Sequence, residues 1–234
     1  MAALSPVHVS QEQPSEDRYN IYAVVHKGLR GFMTDVLLKL GRMDVTDACE
    51  RDQVLEQLRG LLAMCRGHLQ HENDFVHPAI ARSDAQLSSR TAHEHVEHVT
   101  QIDALERQIA QLESADPDRD AALARKLYLN VSVFVAENFT HMIVEETENH
   151  RALIQACTEE QVFEIEHRIV ASLAPEESVQ GLRWMLAHSN AGERAALLGG
   201  MKRNAPPEVF SGVLELARQV LSQRDFYKLE MALN

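Results

Sequence analysis

His68-Leu-Gln-His-Glu72, residues 68–72, sets an imidazole and a carboxylate four residues apart in a stretch whose apolar residues recur at helical spacing. At about 3.6 residues per turn, positions i and i+4 stack on one helix face. Leu58, Leu61 and Cys65 before the pair, and Val76 and Ala79 after it, trace the same stripe. The pair therefore falls on the side that a helix turns towards a core. His141-Met-Ile-Val-Glu145 repeats the arrangement late in the chain, in phase with Leu127, Val131, Phe134 and Asn138. Polar groups on a core stripe need partners there, so these two pairs decide how the chain is read.

Outward from them, four long amphipathic segments emerge. The first begins near Asp17 and ends at Leu40, just ahead of Gly41, with the stripe Tyr22, Val25, Leu29, Met33, Val36 and Leu40 and with His26 inside it. The second runs from about residue 48 to 82, and Pro78 is expected to kink or end it. The third covers 88–113 in phase with Val99, Ile102, Leu105, Ile109 and Leu112, which turns both His95 and His98 inward. Ser114-Ala-Asp-Pro-Asp118 breaks the chain before the fourth, residues 120–157. His26 precedes His68, and His98 precedes His141, by nearly the same interval, as two helical hairpins would require.

Short connections between long helices predict an all-α fold, an up-down-up-down four-helix bundle over residues 17–157. Residues 1–16 read as a flexible N-terminus. Residues 158–234 change to shorter helices, announced by the capping box Thr158 to Gln161, Pro175, Asn190 with Glu193, Pro206-Pro207, and Ser222 to Asp225. They form a C-terminal appendage, expected to pack on the bundle through Trp184, Leu186, Leu197, Phe210 and Leu214. The appendage carries no chemistry of its own.

The composition agrees. Of 234 residues 45% are hydrophobic and 25% charged, which suits one good-sized helical core. A net charge of −12 argues against a nucleic-acid surface, because phosphate binding needs clustered Lys and Arg. Cys49, Cys65 and Cys157 are scattered and odd in number, as in a reducing compartment. No basic-then-apolar leader and no run of about eighteen apolar residues is expected to target or span a membrane. The cytoplasm is the expected location.

Burying His26, His68, Glu72, His95 or His98, His141 and Glu145 is unfavourable unless something satisfies them together, and a metal centre does. Imidazoles and carboxylates without thiolate suit iron, manganese or zinc better than copper(I) or an iron–sulfur cluster. Two six-coordinate ions sharing these side chains and an oxo or hydroxo bridge would keep one or two positions open, enough for a diatomic ligand.

The series His26, His68-x-x-x-Glu72, Glu94-His95 and His141-x-x-x-Glu145 resembles the hemerythrin-like, or HHE cation-binding, domain over roughly residues 18–156. The resemblance implies a bundle holding a non-haem di-iron centre, with His26, His68, Glu72, His95, His141 and Glu145 as ligands and the two glutamates as bridges. It also implies oxygen binding or sensing, nitric-oxide responses or repair of iron–sulfur clusters. Two departures stand out. Hemerythrin has two third-helix histidines four apart, where this chain has His95 and His98 three apart, and an Asp where Glu145 stands. His98 is a second ligand from that helix or a partner that orients one.

Other histidines carry blander expectations. His71, His77 and His93 lie off the stripes, and His8, His150, His167 and His188 read as surface or capping residues. The Glu-x-x-His of ferritin-type sites occurs only at Glu164 to His167, outside the bundle. No H-E-x-x-H is present, and Gly199-Gly200 is too isolated for a phosphate loop. The expected function is binding of O2, NO or a peroxide-level species by two iron ions. The alternative is a helical regulatory or interaction protein with a structural zinc or single-metal site, whose C-terminal helices dimerise or meet a protein partner. Chemistry on an organic substrate ranks below both.

Overall fold

The computed structural model describes residues 18–114 and 117–234. The expected N-terminal lead-in and part of the 114–118 breaker lie outside them. Four long helices form the bundle: α1 (Ala23–Arg42), α2 (Ala48–His71), α3 (Ala85–Glu113) and α4 (Pro117–Val144). Two of them do not end where their α-helical hydrogen bonding does. α2 continues through a π-turn, Glu72–Val76, into a last turn, His77–Ile80. α4 continues through a second π-turn, Glu145–Asn149, into His150–Ala156. Five shorter helices follow: α5 (Glu159–Ser172), α6 (Pro175–His188), α7 (Ala191–Asn204), α8 (Pro207–Val220) and α9 (Gln223–Leu233). No strand occurs among the described residues.

The caps explain the boundaries. The Asp47 carboxylate accepts from the Cys49 and Glu50 amides at 2.9 and 3.2 Å, and Asp84 accepts from the Leu87 amide at 2.8 Å, so α2 and α3 start where their first free N–H groups are satisfied. Thr158 with Gln161 and Asn190 with Glu193 form the capping boxes expected of them. α1 starts later than the sequence predicts, because residues 18–22 are tied to α4 instead. Arg18 donates to the Ile154 and Cys157 carbonyls, Asn20 donates to the Glu146 carbonyl, and the Asn20 side chain accepts from the Tyr22 amide. The π-turn before Pro78 relieves the clash a proline makes inside a helix. No proline follows the second π-turn, so proline is not their common cause.

Two apolar clusters fill the bundle, one on either side of a polar layer. Phe32, Val36, Leu55, Leu58, Ile102, Leu105, Leu127 and Phe134 belong to the larger. Each side chain of this kind contributes about 1.5–3 kcal/mol by leaving water. Tyr22, Val76, Ile80, Leu153 and, from α5, Val162 and Ile165 form the smaller. Along every bundle helix the histidines and glutamates fall between the two. The segment Ala121–Ala156 is long and apolar enough, by length and composition, to cross a membrane, contrary to the sequence expectation. The core helix of a bundle passes the same test, and this one buries His141, Glu145 and Asn149 in its middle.

The appendage has its own core, in which Leu186, Leu198, Val213, Leu216 and Phe226 are buried against one another. Of the five residues expected to bind it to the bundle, Trp184 does so, stacking on Phe32 at 4.1 Å and 13°. Leu186, Leu197, Phe210 and Leu214 turn instead into the appendage's own cluster, because α6 is sandwiched and shows different faces to the two sides. α6 lies close on α1 at Gly28, where a Cβ would come within 3.0 Å of the Met185 backbone nitrogen.

Candidate metal centre

Each bundle helix delivers one imidazole to the polar layer: His26 from α1, His68 from α2, His95 from α3 and His141 from α4. Glu72 and Glu145 arrive as the first residues of the two π-turns. His26, Glu72, His95, His141 and Glu145 are all buried, and His68, its side chain 15% exposed, is the least buried of the six. The spacing reading of both H-x-x-x-E pairs is correct, since each pair closes on one helix face at 3.1 and 3.0 Å.

The side chains sort into two sets that share their carboxylates. His26, His68, Glu72 and Glu145 form one set, and Glu72, His95, His141 and Glu145 the other, with donor atoms inside each set within 4.8 Å of one another. The Nε2 atoms of His26 and His68 are 3.1 Å apart, and those of His95 and His141 are 3.0 Å apart. Glu72 turns Oε1 to His26 and His68 (3.7 and 3.1 Å) and Oε2 to His95 (3.5 Å). Glu145 turns Oε2 to His26 (3.4 Å) and Oε1 to His95 and His141 (3.3 and 3.0 Å). Each carboxylate thus spans both sets.

Neighbouring residues fix which nitrogen faces inward. His26 Nδ1 meets Glu146 at 2.9 Å, His141 Nδ1 meets Glu94 at 2.8 Å, and His95 Nδ1 meets the Asn73 amide oxygen at 2.9 Å. When Nδ1–H donates outward, Nε2 keeps its lone pair for the interior, which is how proteins prepare an imidazole to hold a metal. Arg30 in turn pairs with Glu146. Sequence reading assigned no role to Asn73 or Glu146. Their only signal is position, each directly beside a carboxylate of the site.

Electrostatics set up the same demand. Burial works against charge on His26, but Glu146, Glu72 and Glu145 overcome it and hold the ring up at about 9. His141 is likewise held up, at about 10, by Glu145 and Glu94 against burial. Burial and then the adjacent Glu145 push Glu72 up to about 7, whereas His141 and His95 outweigh burial at Glu145 and hold it well below the carboxylate range. Burial, reinforced by charge on His26, drives His68 well below the imidazole range. Both Glu72 oxygens and Glu145 Oε2 are buried with no hydrogen-bond partner. Orphaned carboxylate oxygens facing inward imidazole nitrogens fit bound cations, which would satisfy both at once.

The remaining polar groups complete the layer. His98 and His77 both stand outside the two sets, His98 edge-on to His141 at 4.8 Å and 89° and next to Phe134. His77, expected off the stripe, is buried and stacks on His95 with ring centroids 4.8 Å apart. His150, expected at the surface, is 4% exposed. His93, His167 and His188 are exposed as expected. Tyr22, read only as a stripe residue, buries its hydroxyl, and after burial the Glu72 and Glu145 carboxylates are what raise its pKa well above the usual phenol value. Cys65 is pushed up to about 12 by burial and stays a core thiol.

Comparison with known proteins points the same way. The family model of the hemerythrin HHE cation binding domain matches residues 17–153. No curated protein and no solved structure gives a significant match. The matched span takes in all four bundle helices and every member of both donor sets, and the chain therefore belongs to the hemerythrin HHE cation-binding domain family, a metal-binding helical protein.

Proposed function

We propose that the polar layer holds two iron ions, one on His26 and His68 and the other on His95 and His141, bridged by Glu72 and Glu145. The single observation that carries this reading is the division of each buried carboxylate between the two histidine pairs. A donor set of imidazole and carboxylate without thiolate favours iron, with manganese and zinc as competitors. When bound, such ions supply reversible redox chemistry and an open position for O2, NO or a peroxide-level oxidant. The chain's own part is to hold the ions. Glu94, Asn73 and Glu146 fix the rings, the two apolar clusters exclude water, and His68, the least buried of the six, marks the side nearest solvent.

The role that follows is sensing, storage or stress response to such a ligand. Unpaired Cys49, Cys65 and Cys157 support a cytoplasmic setting. Exposed Val209, Tyr227 and Met231 favour a protein contact, including self-association, on the C-terminal helices. A second reading rests on the four-donor make-up of each set, which also matches tetrahedral zinc, and makes the site a structural staple of an interaction protein. Elemental analysis and near-ultraviolet absorption of protein from iron-replete cells test the choice. Two irons per chain with oxo-to-iron bands that change on reduction support the first. Colourless protein that refuses iron and holds zinc instead refutes it in favour of the second.

A further inference from the structure

The two helices that carry the H-x-x-x-E pairs share a longer pattern, to which the structure gives a meaning. His68, Glu72 and His77 on one, and His141, Glu145 and His150 on the other, obey the same spacing, H-x-x-x-E-x-x-x-x-H. In both, a π-turn starts at the glutamate, and the second histidine's backbone N–H donates to that glutamate's carbonyl. Five residues along a regular α-helix would leave His77 about 140° round from Glu72. The i to i−5 bond of the π-turn brings the two nearly into line, and π-turns of this kind concentrate at functional sites.

His77 ends up with a problem that a metal ion would solve. The residue is 5% exposed, its ring lies 4.8 Å from that of His95, and neither ring nitrogen has a hydrogen-bond partner. A neutral imidazole carries one donor and one acceptor, and leaving both idle in an interior is rare. His26, His95 and His141 each have an outward partner on Nδ1. His98, the other candidate from the sequence, has a single orphaned buried nitrogen and packs towards Phe134 and the larger apolar cluster. Two imidazoles and two carboxylate oxygens leave a six-coordinate ion short of donors.

Building on the two-ion reading above, we infer that His77, delivered by the π-turn of the second helix, is the third imidazole of the ion held by His95 and His141.

The test loads wild type, His77→Ala, His77→Gln and His98→Ala anaerobically with ferrous iron, then measures ion content after passage over a chelating resin. Circular dichroism melts of the stripped proteins report folding separately. Wild type and His98→Ala are expected to keep two ions, and both His77 variants one. Added imidazole should restore the second ion to His77→Ala, which has room for it, and not to His77→Gln, which does not. A His77→Ala protein that keeps two ions, or a His98→Ala protein that loses one, overturns the assignment while the two-ion reading stands. So does a loss that imidazole cannot restore, or stripped His77 variants that no longer fold, either of which makes His77 structural. Wild type holding fewer than two ions defeats the two-ion reading first, and this inference with it.

Discussion

Replacing Glu72 by Gln should stabilise the stripped protein and weaken the loaded one. Glu72 is 3% exposed, and burial followed by the Glu145 carboxylate moves it from an ordinary 4.5 up to about 7. A folded-state value above the unfolded one means that the fold disfavours the ionised form. The penalty is absent below the unfolded value and grows as pH rises towards the folded one. At pH 7 it amounts to about 3 kcal/mol. The amide of Glu72→Gln has the shape of the protonated acid and never ionises. For a chain of this size about 3 kcal/mol corresponds to a rise of about 6–12 °C in melting temperature. Ferrous iron should then reverse the order. At about a thousandfold above its dissociation constant an ion adds about 4 kcal/mol to wild type, and the variant, short of a bridge, gains little of it. The assay is thermal unfolding at pH 7, with and without iron under anaerobic conditions, repeated near pH 4.5 where the stripped proteins should converge. A stripped variant melting at or below wild type, or one with an undiminished iron-induced shift, refutes the reasoning.

Trp184→Ala removes the stack on Phe32 and should cost about 2–3 kcal/mol, loosening the appendage while ion content stays at the wild-type level; limited proteolysis near residues 172–175 and elemental analysis read the two effects. Gly28→Ala and Gly31→Ala should differ, although each gains about 1 kcal/mol of helix propensity. The Gly28 Cβ meets the α6 backbone at 3.0 Å, whereas the Gly31 Cβ runs still closer into the His188 ring, an exposed side chain that can turn aside at the cost of its stack on Trp184 and its bond to the Trp184 carbonyl. Gly28→Ala should therefore melt below Gly31→Ala, and the opposite order contradicts the close approach. Burial raises the Glu193 carboxylate, but Lys27 and the Asn190 amide together outweigh it and hold the group below its ordinary value, linking α7 to α1. Its folded value is the lower one, so its stabilisation is complete above the unfolded value and fades as pH falls through the folded one. The difference between wild type and Glu193→Gln should shrink below about pH 4 in pH-dependent melts.

Most of the bundle was legible because its code is local. The apolar period, the capping residues and two i, i+4 pairs specify four helices and the six side chains that the bundle brings together. What escaped depended on neighbours. The start of α1 is set by Asn20 and Arg18 reaching across to α4, a contact without a sequence signal. Trp184 binds the bundle, yet Leu186 two residues later does not, since a sandwiched helix has two buried faces and periodicity sees only their sum. Asn73 and Glu146 sit beside carboxylates of the site, and a helical wheel turns them sideways, where they meet the outer nitrogens of histidines from other helices.

The misplacement of His77 and His150 has a more specific cause, and it says something about the site. Counting from either glutamate, the fourth, fifth, seventh and eighth residues are buried: Val76, His77, Ala79 and Ile80 after Glu72, and Asn149, His150, Ala152 and Leu153 after Glu145. On an unbroken α-helix the fifth would lie well off the face centred on the glutamate. The fourth, seventh and eighth would face inward on an unbroken helix too, so what the π-turn adds, at the same place in both helices, is the fifth residue, the histidine. A π-turn repeated without a shared proline is not a local accident of sequence. What the two places share is a buried carboxylate spanning two histidine pairs, followed by a histidine. The α-helical phase holds from the first apolar turn to the glutamate and is then shifted by the π-turn, after which residues of the smaller cluster follow. Deleting one residue from Asn73 to Val76 would leave His77 four residues after Glu72, on its face even in a regular α-helix, whereas inserting one there would turn His77 and its neighbours off their shared face. On insertion, both the ion content and the packing of Ile80 against Leu153 should fail together, as a phase shift tied to the metal layer requires.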